Sequence, residues 1–124
     1  EEQQRAAMAE LAADPGGSTA DLARRMWERV ADPRVQPHAR LFFELYGRAL
    51  QGDPGAAPML EWVVPTWVDE LTALLVDRGL PADEARATAR LGLATVRGLL
   101  LDLLATGDRA GADAAHELYV GRLG

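Results

Sequence analysis

The sequence predicts an all-α domain, and three observations carry that prediction. Apolar residues recur at three- and four-residue spacing in segment after segment. Clusters of Pro, Gly and Asp punctuate the chain at 14–17, 32–37, 52–55, 79–81 and 107–108. No stretch alternates apolar and polar residues as a half-buried strand does, and Val63-Val64 is too short to count. The expectation is a helical bundle of about six helices in a single domain spanning residues 1–124.

Residues 1–13 are alanine-rich, with acids at the start where a helix dipole favours them, and they stop at Asp14-Pro-Gly-Gly17. Ser18 or Thr19 can cap a second helix running to about Ala31. Its apolar stripe is Leu22, Met26 and Val30, with Ala23 and Trp27 beside it. Asp32-Pro-Arg-Val-Gln-Pro37 is the next break, and Pro37 suits the first turn of a third helix.

That third helix, from about Pro37 to Gln51, reads as the most buried. His38, Ala39, Leu41, Phe42, Phe43, Leu45, Tyr46, Ala49 and Leu50 cover more than half its circumference, leaving Arg40, Glu44 and Arg48 as a solvent edge. A fourth helix, about Ala57 to Arg78, contains Pro65, so a kink is expected near Val64. Its stripe is Leu60, Val64, Trp67, Leu71 and Leu74, and Gly79 supplies the stop.

The helix from Asp83 to Thr106 has two apolar faces. Turned by 100° per residue, Ala85, Ala89, Gly92, Val96, Leu99, Leu100 and Leu103 fall on one side. Ala87, Leu91, Ala94, Gly98, Leu101 and Ala105 fall roughly opposite. Arg86, Arg90 and Arg97 line one seam between them, and Thr88, Thr95 and Asp102 the other. A surface helix of a monomer needs one apolar stripe, so this helix needs a cover on each side. One cover is its own domain and the other a second copy of the chain. Small residues admit a close helix approach while bulky ones fill a core. The expected homodimer interface on this argument is Ala87, Leu91, Ala94, Gly98 and Leu101, with Val96, Leu100 and Leu103 turned inward; the reverse assignment of the two faces is the alternative. A last helix, capped by Asp108 and running to about Leu123 with the stripe Ala112, Ala115, Tyr119 and Leu123, adds Ala115, Tyr119 and Leu123 to that interface.

Composition narrows the functions. The 124 residues carry a net charge of −6, which is no footprint for nucleic acid on these residues themselves. Cysteine is absent, which excludes disulfides, thiolate metal sites and cysteine nucleophiles. No apolar run reaches membrane-spanning length and no signal-peptide pattern opens the chain, so a cytoplasmic protein without membrane partners is expected. Every basic residue is arginine, and alanine abounds, a bias associated with GC-rich bacterial genomes. The chain starts at Glu1, which suggests a segment upstream.

Catalytic chemistry finds little support. Asp113-Ala-Ala-His116 has the i, i+3 spacing of carboxylate-bundle metal ligands, but such sites use it twice with further inward glutamates. A surface or interface histidine is the simpler reading, and neither a metal nor a cofactor is expected. Ser18, the only serine, sits at a capping position with no histidine nearby to activate it. The domain is expected not to be an enzyme. What stands out is a set of rings, all but Phe42 polar-tipped. Trp27, His38, Phe42, Tyr46, Trp62 and Trp67 fall in three successive helices, with His38, Phe42 and Tyr46 on one side of the third. They form the core, or else an apolar pocket whose polar tips orient a small-molecule effector. Arg97, bordering the apolar face, either reaches an acidic ligand group or pairs with an acid.

Three stretches place these features in a familiar order: Arg40-Leu-Phe-Phe-Glu-Leu-Tyr-Gly-Arg-Ala-Leu-Gln-Gly-Asp-Pro54, Gly79-Leu-Pro-Ala-Asp-Glu-Ala85, and Val96-Arg-Gly-Leu-Leu-Leu-Asp-Leu-Leu-Ala-Thr-Gly-Asp108. With the proline-bearing helix between the first two, they resemble the C-terminal domain of TetR-family transcriptional regulators, above all actinobacterial ones. The similarity runs from about Ala20 onward. It implies that the last two helices form a four-helix bundle with a second copy, and that the middle helices enclose an effector pocket. It also implies a repressor released from operator DNA by a small apolar or aromatic ligand. The family's helix-turn-helix domain has no counterpart in these residues, and residues 1–13 match at most the end of its linker helix. DNA contact is thus expected only through a domain absent from this sequence. A free-standing helical adaptor is the alternative, using the same apolar surface for another partner chain. A small enzyme built on the aromatic set, dependent on His38, is a third reading.

Overall fold

The computed structural model describes residues 18–123, and those residues form five α-helices and one 3₁₀ turn, with no strand among them. The helices are α1 (Thr19–Val30), α2 (Gln36–Leu50), α3 (Met59–Asp77), α4 (Ala82–Thr106) and α5 (Arg109–Val120). The segment expected to be helical over residues 1–13 lies outside the described residues.

Each boundary has a local cause. Ser18 caps α1 through a reciprocal box: its hydroxyl accepts from the Asp21 N–H at 3.1 Å, and the Asp21 carboxylate accepts from the Ser18 N–H at 3.3 Å. Residues 33–35, read as a plain break, form a 3₁₀ turn because Asp32 accepts from the Arg34 N–H at 2.9 Å. Its partner Arg34 donates back to the Asp32 side chain and lowers that carboxyl to about 2. At the end of α4, Gly107 adopts φ +72° and its N–H reaches the Leu103 carbonyl at 2.7 Å, a left-handed stop that a side chain would strain. Asp108 then caps α5 by accepting from the Gly111 N–H at 2.9 Å.

The core lies between α1, α3, α4 and α5. Leu22, Met26 and Trp27 of α1 meet Val68, Leu71 and Leu75 of α3, Leu93, Val96, Leu100 and Leu103 of α4, and Ala112 of α5. The α1 stripe and the inward face of α4 lie where their periodicity puts them, except that Val30 and Leu99 are only half-buried.

The expectations for three helices shift. Helix α2, read as the most buried, is the most open, and only Ala49 is fully buried. It packs at the edge of the bundle against α3 and α4, so much of its apolar circumference, including Leu41 and Leu50, faces outward. In α3 the buried set is Val63, Val68, Leu71, Thr72 and Leu75, displaced from the expected stripe, with Leu60 exposed. This helix is covered by α2 on one flank and α4 on the other, so its apolar arc is wider than a single stripe. Thr72 tolerates burial because its hydroxyl donates to the Val68 carbonyl one turn back. Helix α3 also runs unbroken through Pro65, whose ring sits on the exposed side, where water can serve the carbonyl that proline leaves unpaired. In α5 the buried face is Ala112, His116 and Val120, rotated from the expected stripe, so Ala115 is exposed and Tyr119 and Leu123 are half-buried.

Candidate functional site

The outward face of α4 is an apolar surface that the fold leaves uncovered. Ala87, Leu91, Ala94, Gly98, Leu101 and Ala105 are all exposed, Leu91 by 59 % and Leu101 by 49 %. Two glycines on this helix show the contrast between its sides. Gly92 faces inward, and a Cβ there would stand 3.2 Å from the Tyr119 hydroxyl. Gly98 faces outward, and a Cβ there would meet nothing within 4 Å. A mid-helix glycine costs roughly 0.5–1 kcal/mol relative to alanine, and within one chain Gly98 has no contact that requires it.

Helix α5 adds a second outward apolar surface. Ala115 is exposed as expected, but Leu118, absent from the expected interface, is 64 % exposed. Tyr119 instead turns partly inward, its ring tilted against His116 at 5.8 Å and its hydroxyl over Gly92. Burial pushes its phenol above the ordinary value. Leu118 was legible only from the true phase of α5, which the buried histidine disguises.

The six rings do not form one group. Phe42, Tyr46 and Trp67 do come together: Phe42 stacks on Tyr46 at 5.4 Å and lies 5.1 Å from Trp67, with Phe43 edge-on at 5.3 Å. His38 is exposed near the start of α2. Trp62 is 40 % exposed and makes no ring contact with the others among the described residues. Beside the Phe42 group, Arg40 and Phe43 of α2 and Leu101, Leu104 and Ala105 of α4 line an open groove of about 260 Å³.

Trp27 belongs to a different constellation, the seam between α1 and α5. Its indole N–H donates to Asp113 at 2.7 Å, and its ring stacks on His116 with centroids 5.2 Å apart. Arg109 donates to the same Asp113 oxygen at 2.8 Å and to the Ala31 carbonyl at 3.2 Å, tying the end of α1 to the start of α5. These bonds, Arg109's first and Trp27's second, hold the Asp113 carboxyl below its ordinary value. On the exposed side of the seam, Arg24 grips Glu117 at 2.7 Å. His116 is therefore neither a surface nor an interface residue. It is 1 % exposed, its Nε2 has no hydrogen-bond partner, and burial lowers its affinity for a proton. Among the described residues no three His, Asp or Glu side chains gather as metal ligands would.

No helix among the described residues is long and apolar enough to cross a membrane. No family model, curated protein or solved structure matches the chain.

Proposed function

We infer that this chain is the dimerisation and effector-sensing domain of a TetR-like transcriptional regulator, a cytoplasmic repressor. The observation that carries the reading is the exposed small-residue face of α4, with Gly98 at its centre. Two copies packed through Ala87, Leu91, Ala94, Gly98 and Leu101, with Ala115 and Leu118 of α5 beside them, would remove that apolar surface from water. A glycine allows two helix backbones to approach closely, which gives Gly98 the role it lacks within one chain. The order of sequence motifs supports the regulator half of the reading.

Binding rather than catalysis suits the polar side chains. Ser18 is engaged as a cap and His116 is stacked in the core, so neither is free for nucleophilic or proton-transfer work. Effector binding would act on the flank where α2, α3 and α4 meet. A ligand that prefers one arrangement of those helices would shift the spacing of two DNA-reading heads N-terminal to these residues. Operator recognition needs those heads about one DNA turn apart, so a modest shift releases the DNA.

The test is Gly98→Arg, read by light scattering and circular dichroism. A cation on the outward face has room within one chain, so helical content should stay as in wild type while the mass falls to that of a monomer. A variant that remains dimeric would overturn the assignment of this face. If wild type is itself a monomer but binds another protein through Leu91 and Leu101, the adaptor reading replaces this one.

A further inference from the structure

The groove between α2 and α4 joins apolar walls to a cation without an acid. Phe43, Leu101, Leu104 and Ala105 supply the walls and Arg40 the charge. The guanidinium of Arg40 makes a single hydrogen bond among the described residues, a long one of 3.4 Å to Gln36. The nearest acid along the helix, Glu44, turns to Arg48 at 3.5 Å instead. Arg97 repeats the pattern on α4. It is half-buried, one turn before Leu101 and two before Leu104, and no carboxylate among the described residues reaches it. Acids outnumber arginines nineteen to thirteen in this chain, and Arg24, Arg34, Arg48, Arg86 and Arg109 each hold one within 4 Å. Arg40, like Arg90, Arg97 and Arg122, holds no acid among the described residues, and of these four Arg40 alone lines the apolar trough.

We propose that this groove binds a small amphiphilic carboxylate, with Arg40 taking the carboxylate and the α2 and α4 side chains taking the hydrocarbon. A guanidinium presents two parallel N–H groups that match a carboxylate's two oxygens, and such charge-assisted pairs are about twice as strong as neutral ones. The hydrocarbon leaves water for Phe43 and Leu104, with Leu101 at the edge that the groove shares with the outward face of α4. A volume of about 260 Å³ lies just below the range of drug-sized sites. The proposal gives the effector of the preceding section a chemical class and rests on that reading.

Calorimetric titration with decanoate below its micellar concentration tests it, with decan-1-ol as the uncharged comparison. Decanoate should saturate one site per chain and bind at least tenfold more tightly than the alcohol. Arg40 is exposed, so Arg40→Gln should fold as wild type and weaken decanoate at least tenfold. Failure of decanoate to saturate, or unchanged affinity in Arg40→Gln, overturns the proposal. Light scattering on the same samples separates the two inferences. A dimer that ignores decanoate removes the groove assignment alone, and a monomer that binds it keeps the groove and removes the dimer.

Discussion

Trp27 of α1 and His116 of α5 lie ring on ring, their planes within 15° of parallel. The contact places a titratable group at the centre of the seam joining the first described helix to the last. Around it, Asp113 and Glu117 share its own helix, Arg24 approaches from α1, and the Tyr119 ring tilts against it at 5.8 Å. Arg109 reaches the same seam through Asp113.

Stability should depend on pH through this ring. Burial holds the folded His116 below its ordinary value of 6.5, so the folded state gives up the proton before the unfolded chain does. The unfolded state then binds more protons, and stability falls as pH drops through and below 6.5. Urea midpoints at pH 7.5 and 5.5 measure it. Wild type should lose stability over that interval, while His116→Phe, which keeps the stacking without the proton, should lose less. Equal losses would place the pH dependence elsewhere.

Asp113 should behave as the polar anchor of the seam. Asp113→Ala strips the partner from a buried indole N–H and from Arg109, and should cost about 1–3 kcal/mol. Asp113→Asn, which keeps an acceptor oxygen, should recover part of that. Chemical denaturation at pH 7 reads both. Below about pH 4 the wild-type advantage should shrink, because the lowered carboxyl stabilises the fold only while it is ionised.

Pro65 should be a removable cost. It lies on the outer side of an unbroken helix, so Pro65→Ala restores an N–H for the carbonyl four residues back without touching the core. The variant should be more stable by up to about 3 kcal/mol in urea unfolding. A loss of stability would mean that proline shapes the packing of α3 on α2.

The two glycines of α4 should answer differently to bulk. Gly92→Leu must displace Tyr119 and should destabilise the chain by about 1–3 kcal/mol. Gly98→Leu meets no such obstacle in one chain, so its effect should appear in the dimer equilibrium rather than in helical content. Thermal unfolding and light scattering on both variants make the comparison.

Much of the fold was legible in residue spacing. The Pro, Gly and Asp clusters mark the helix ends, and the 100° rotation of α4 separates Val96, Leu100 and Leu103, which are buried, from Leu91 and Leu101, which are not. Periodicity failed where a helix is covered on two flanks, as in α3, or stands at the edge, as in α2. It also failed in α5, because a histidine reads as polar and its burial depends on Trp27, 89 positions away in the chain, supplying a ring to stack on. The aromatic set was legible as residues but not as a group. Sequence places Trp27 with Phe42 and Trp67, whereas Asp113 and His116 draw it to the opposite seam.

The most direct test of the central claim is the mass of the wild-type chain in solution across a dilution series. The account expects a particle twice the 13.4 kDa chain mass that persists on dilution, with the outward face of α4 covered by a second copy. A particle of a single chain at every concentration would contradict it, leaving Leu91, Gly98 and Leu101 facing water.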